Sequence, residues 1–175
     1  MNKSITITSA QGADEYVQAI QAAADAGAVA IANEISNGSG LELFRKLKFE
    51  KLGFDPLKQE RSLNVVEQVN QTFTYLASFM AARLLFEWYP HMERLDLNLG
   101  TAPGTDIESF DYGGVAAEVF AATSPSSNDK LRKDIRKVAA STARHKYVFF
   151  DCPGISAGKY SQSYSPEVVV WSLDA

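Results

Sequence analysis

The chain has 175 residues and a formal net charge of −4, with 46% hydrophobic and 22% charged residues. That length suits one domain with a full hydrophobic core, and the composition excludes a disordered chain. A single cysteine excludes a disulfide framework and a multi-Cys zinc site, and two histidines argue against a His-rich one.

Residues 1–12 look extended, with Ile5 and Ile7 alternating against Thr6 and Thr8. Residues 13–36 are Ala-rich and predict a helix, broken by Asn37-Gly38-Ser39-Gly40. A shorter amphipathic helix is expected over 41–52, with Gly53 as its C-terminal cap. Phe54-Asp55-Pro56 then reads as a connection. The strongest helix spans 62–88. There Leu63, Val66, Val69, Phe73, Leu76, Met80 and Leu84 step by three or four along one face, beside a polar stripe of Glu67, Asn70, Gln71, Thr74 and Ser78. Pro90 ends it. Ser78, Arg83 and Glu87 interrupt its apolar end, so no membrane span is expected. Residues 1–10 lack the apolar run of a signal peptide, and a cytoplasmic protein without a membrane partner is the expectation.

Beyond Pro90 the period changes to two. Leu95, Leu97 and Leu99 predict a strand, residues 105–110 a second and 115–122 a third, the last apolar at nearly every position. A helix over 129–142, a buried strand over 146–150, a loop over 151–165 and a last strand over 167–173 complete the order. This is an α/β (α+β) chain with a central mixed sheet of about five strands. We read it as one domain, a helical extension over 1–60 followed by a core over 61–175.

Glu118 lies in the middle of the apolar third strand, where an ionised carboxylate needs a partner or a metal. If the second and third strands form a hairpin, Asp106 shares its face, and Glu108 projects to the same side as Asp106. Carboxylates held together repel, and a hard divalent cation (Mg²⁺, Mn²⁺ or Ca²⁺) relieves the repulsion. The plainer alternative is that Asp106 and Glu108 face solvent and that Glu118 pairs with a helix Arg or Lys. Cys152 reads as a packing residue, with no third residue to orient it and His145 as a nucleophilic pair.

The helix bearing Glu67, the strand pair bearing Gly104-Thr105-Asp106 and Ala117-Glu118-Val119-Phe120, and the basic helix and strand that follow resemble the PD-(D/E)XK nuclease superfamily over about residues 62–150. The resemblance implies a restriction-endonuclease-like α-β-β-β-α-β core that hydrolyses a phosphodiester of nucleic acid, most simply DNA, with Mg²⁺ or Mn²⁺. It matches Asp106 to the motif aspartate, Glu118 to the acidic residue of the (D/E)XK element and Glu67 to a helix-borne metal ligand. Gly104 stands in place of the motif proline, and Phe120 in place of the motif lysine. Phenylalanine cannot stabilise the developing phosphorane charge. In some members that lysine has moved to the following helix, where Lys130 and Lys133 are the candidates and Lys137 lies a turn further along. The alternative is a non-catalytic member that binds DNA or protein. Nucleases of this fold often dimerise to cut both strands, so the resemblance also admits a homodimer.

Charge is unevenly spread. Residues 44–62 carry six cations against three acids, and residues 129–146 seven against two, so the total of −4 hides two basic segments of the kind a phosphate backbone attracts.

Overall fold

The computed structural model describes residues 3–37, 40–161 and 164–174. The chain is α+β and falls into two compact units, residues 15–76 and residues 1–14 with 77–175.

The first unit is built mainly from helices. Helix α1 runs Ala10–Asn37 and α2 runs Gly40–Phe49; Gly38 and Ser39 of the expected break lie outside the described residues. No residue of α2 is buried. Strands β2 (Gly53–Asp55) and β3 (Lys58–Leu63) form an antiparallel hairpin where a connection was expected. Its strands are short and β3 is mostly polar, so no alternation announced it. Gly53 does not cap α2 but opens this hairpin. A Cβ there would collide with Gln68 Oε1, because that side chain is buried against it and accepts the Phe54 N–H at 3.2 Å.

Helix α3 spans Val65–Trp88, its first half in this unit and its second half in the other. Asn64 and Glu67 open it with a reciprocal capping box. Asn64 Oδ1 accepts the Glu67 N–H (2.8 Å), and Glu67 Oε2 accepts the Asn64 N–H (3.4 Å). The expected inward face is displaced. Val65, Gln68, Thr72, Tyr75 and Phe79 are buried, whereas Val66, Val69 and Phe73 stay 43–48% exposed.

The second unit is a seven-stranded mixed sheet, two strands wider than expected. Its strands are β1 (Ser4–Ile7), β4 (Leu95–Asn98), β5 (Ile107–Ser109), β6 (Val115–Ala121), β7 (His145–Asp151), β8 (Gly158–Lys159) and β9 (Val168–Ser172), in the order β1-β4-β5-β6-β7-β9-β8. Strand β5 runs antiparallel to its neighbours β4 and β6, while β7 and β9 continue parallel to β6. The added strands are the two edges, β1 and the two-residue β8.

Helix α4, Lys130–Ala139, connects β6 to β7. Its Leu131, Ile135 and Val138 form one core with Phe120, Val148, Phe150 and Val170. Burying these side chains contributes about 1.5–3 kcal/mol each. The residues of opposite parity face away from α4. There Trp88, at the end of α3, packs on Tyr147, Phe149 and Trp171.

Candidate functional site

Every residue from Val115 to Phe120 is buried, so β6 is covered on both faces. Glu118 is 2% exposed there and shares the α4 side with Phe120. The pairing Ile107↔Ala117 and Glu108↔Ala116 places Asp106 across from Glu118, one step beyond the end of β5. Asp106 Oδ2 accepts the Val119 N–H at 2.8 Å, satisfying a donor that β5 no longer reaches. The expected hairpin thus places both carboxylates on one face of the sheet.

Helix α4 lies over them. Lys130, Asp134 and Lys137 recur at i, i+4 and i+7, which is one helix stripe. Lys137 Nζ is 2.7 Å from Glu118 Oε1, its own side chain half exposed. Lys130 Nζ donates to Asp134 Oδ1 at 2.8 Å and lies 6.0 Å from the centre of the Phe120 ring. Phe120 itself stacks on Phe150 in the core. An apolar side chain therefore fills the position of the motif lysine, and cations arrive from the helix above it.

The electrostatics follow from burial. Glu118 is pushed up to about 7, first by loss of water, then by the charge of Asp106, with Lys137 opposing and Asp134 adding to the rise. Burial also raises Asp106, against the pull of the Val119 N–H and of Lys137 and Lys130. Asp134 is raised by burial as well, with Lys130 opposing. Burial works to lower Lys137, but the Glu118 contact and the charges of Asp106 and Asp134 outweigh it and hold it above its ordinary value. Among the described residues Asp134 Oδ2 is buried with no hydrogen-bond donor, and Glu118 Oε1 is held by the ion pair with Lys137. Hard anionic oxygens with spare lone pairs suit Mg²⁺ or Mn²⁺. Among the described residues no group of three or more His, Cys, Asp or Glu is spaced to hold a metal ion.

The other expected residues make contacts of their own. Glu67 lies in the first unit, its carboxylate engaged by the Asn64 N–H. Lys133 is exposed and donates to the Asn128 carbonyl at 2.9 Å, tying down the loop before α4. Glu108 is exposed and turned back on Thr105, accepting from its N–H (2.8 Å) and its hydroxyl (3.0 Å). Cys152 is buried in the α4 core, and burial pushes its thiol up, as for a packing residue. Asp134 was not among the expected residues, although an acid among Leu131, Ile135 and Val138 on the buried stripe of an amphipathic helix signals it.

Comparison with protein-family models, curated proteins and solved structures finds no match to this chain. No helix among the described residues is long and apolar enough to cross a membrane.

Proposed function

We propose that the chain is a metal-dependent nucleic-acid phosphodiesterase, endonuclease-like, of the PD-(D/E)XK type, acting on DNA with Mg²⁺ or Mn²⁺. The observation that carries this reading is Lys137 Nζ, 2.7 Å from Glu118 Oε1 and directly above the Asp106–Glu118 row. A lysine from the helix after the third strand of the motif is what the substitution at Phe120 requires. The strand order β4-β5-β6-β7-β9, with only β5 reversed, supports the restriction-endonuclease-like core.

In this reading Asp106 and Glu118 would hold the cation, which would supply a polarised phosphate and a bound water of lowered pKa. Lys137, whose ammonium lies at Glu118 with its side chain half exposed, would stabilise the charge that develops on the phosphate. Asp134 holds Lys130 beside the row. Arg132 and Arg136 on the exposed face of α4 meet the phosphate backbone.

The second reading is a catalytically inactive nuclease-fold module that binds DNA or protein. The same ion pair favours it, since Lys137 already neutralises Glu118 without a metal. The two separate on supercoiled plasmid and single-stranded DNA in Mg²⁺ or Mn²⁺. Nicking by the wild type that is lost in Glu118→Ala and Lys137→Met but kept in Lys133→Met supports the enzyme. Salt-sensitive DNA binding without nicking selects the module. Neither cleavage nor binding overturns both.

A further inference from the structure

A cavity of about 240 Å³ opens where the chain leaves β6 and turns into α4. The segment after β6 supplies Ser124, Ser126 and Asp129 to its wall, the first turn of α4 supplies Arg132, and the segment after β8 supplies Tyr160 and Tyr164. All six belong to the compact unit that carries the sheet. The rings of Phe120, Phe150 and Tyr160 touch in series, with centres 5.7 and 5.1 Å apart. The cavity therefore lies on the same face of the sheet as Glu118, two residues before Phe120. It also lies beyond the carboxyl end of β6, which runs parallel to β7, and crevices at that end are where α/β sheets receive ligands.

The wall has the chemistry of a flat, uncharged ligand. Tyr164 is 57% exposed, and Arg132 Cζ lies 5.1 Å from the centre of its ring. An exposed ring beside a guanidinium is a surface on which a nucleobase stacks. Asp129 Oδ1 is 3.5 Å from Arg132 Nε. That carboxylate offsets the charge a bare phosphate would need in full, and it can accept an N–H from the edge of a base. The serine and tyrosine hydroxyls each donate or accept. Asn128 and Asp129 approach through consecutive left-handed backbone angles, φ 54° and 57°, which residues with a Cβ hold only under constraint. The volume is below the roughly 300–1,000 Å³ of a site for a drug-sized molecule, so it suits a single base.

We propose that this cavity takes an unpaired base of a single-stranded nucleic acid, stacked on Tyr164, with the adjoining phosphate on the exposed end of Arg132. A base inside a duplex is stacked and paired and does not reach a concave site. The inference takes its ligand class from the nucleic-acid reading above and adds strandedness to it. It does not require cleavage.

Fluorescence anisotropy in EDTA tests it with three labelled probes, a short DNA single strand, the same strand with abasic residues and the matching duplex. The wild type should bind the base-bearing strand most tightly. Tyr164→Ala should weaken that binding about fivefold to a hundredfold, the loss of one base stack, and leave the abasic strand unchanged. Tyr164→Phe keeps the ring and should keep most of the affinity. Tyr164 is largely exposed, so neither substitution should move the melting temperature. As a second measurement, a strand carrying 5-bromouracil should cross-link under ultraviolet light to Tyr160 or Tyr164. Equal affinity for base-bearing and abasic strands, an inert Tyr164→Ala or a cross-link away from the cavity overturns the proposal and leaves the reading above standing where plasmid is nicked. Failure to bind all three probes overturns the proposal, and together with absent nicking it overturns that reading too.

Discussion

Glu118 behaves as it does because β6 leaves it no water. Its folded-state pKa of about 7 lies above that of an exposed glutamate, so between the two the folded protein keeps a proton that the unfolded chain has released. Stability therefore falls as pH rises through that window and is fully present below it. Glu118→Gln removes the loss. It should stabilise the protein by about 1–3 kcal/mol at pH 8 and by almost nothing near pH 4.5. Thermal melts of the two proteins across pH check this, and an equal effect at both ends would contradict the assignment. Mn²⁺ should raise the melting temperature of the wild type at pH 8 and leave Glu118→Gln unmoved, if the Asp106–Glu118 row takes a cation. Lys137 was legible only as a cation one turn beyond the favoured pair. Which of three lysines reaches Glu118 depends on how α4 crosses β6, a rotation set by where Leu131, Ile135 and Val138 find their pocket.

The elements show where periodicity is enough and where it is not. Strand β6 was predicted over 115–122 and forms over Val115–Ala121, because a continuous apolar run between two turn signals has few other uses. The β2–β3 hairpin was missed because its polar strands carry no period. Helix α3 was located, but its inward face was misassigned. With apolar residues nearly all round, its own pattern does not say which stripe packs, and the partner decided. Two substitutions test the local devices. Asn64→Ala removes half of the capping box and should cost about 1 kcal/mol, lowering the melting temperature by about 2–4 °C. Gly53→Ala pushes a methyl into Gln68 and should cost about 1–3 kcal/mol, with repacking of Gln68 as its structural trace. Chemical denaturation of each variant measures both.

At the scale of the whole molecule, the charge of −4 and the two basic segments make a joint prediction. Some of the acid is buried at Glu118 and Asp134, where it does not meet a ligand as free charge. Arg132, Lys133, Arg136 and Lys137 lie exposed on α4. If the chain binds DNA, the affinity should fall by about tenfold or more between 50 and 200 mM salt, as for a few phosphate contacts. Replacing Arg132 and Arg136 by Ser should flatten that slope without altering the melting profile of Glu118. A salt-independent interaction would place the contact elsewhere.

The sequence by itself determined the α+β order, the position of most strands in the mixed sheet and the isolation of Glu118 among apolar residues. Each of these follows from period, turn chemistry or the cost of a buried charge, all of which are local. Only the tertiary structure decided that Asp106 stands opposite Glu118, that Asp134 joins them, that Lys137 rather than Lys130 or Lys133 meets the glutamate, and which stripe of α3 is left open. Those outcomes depend on strand register and on the rotation of helices against the sheet. Register and rotation are settled by side chains far apart in the chain, which no local pattern encodes.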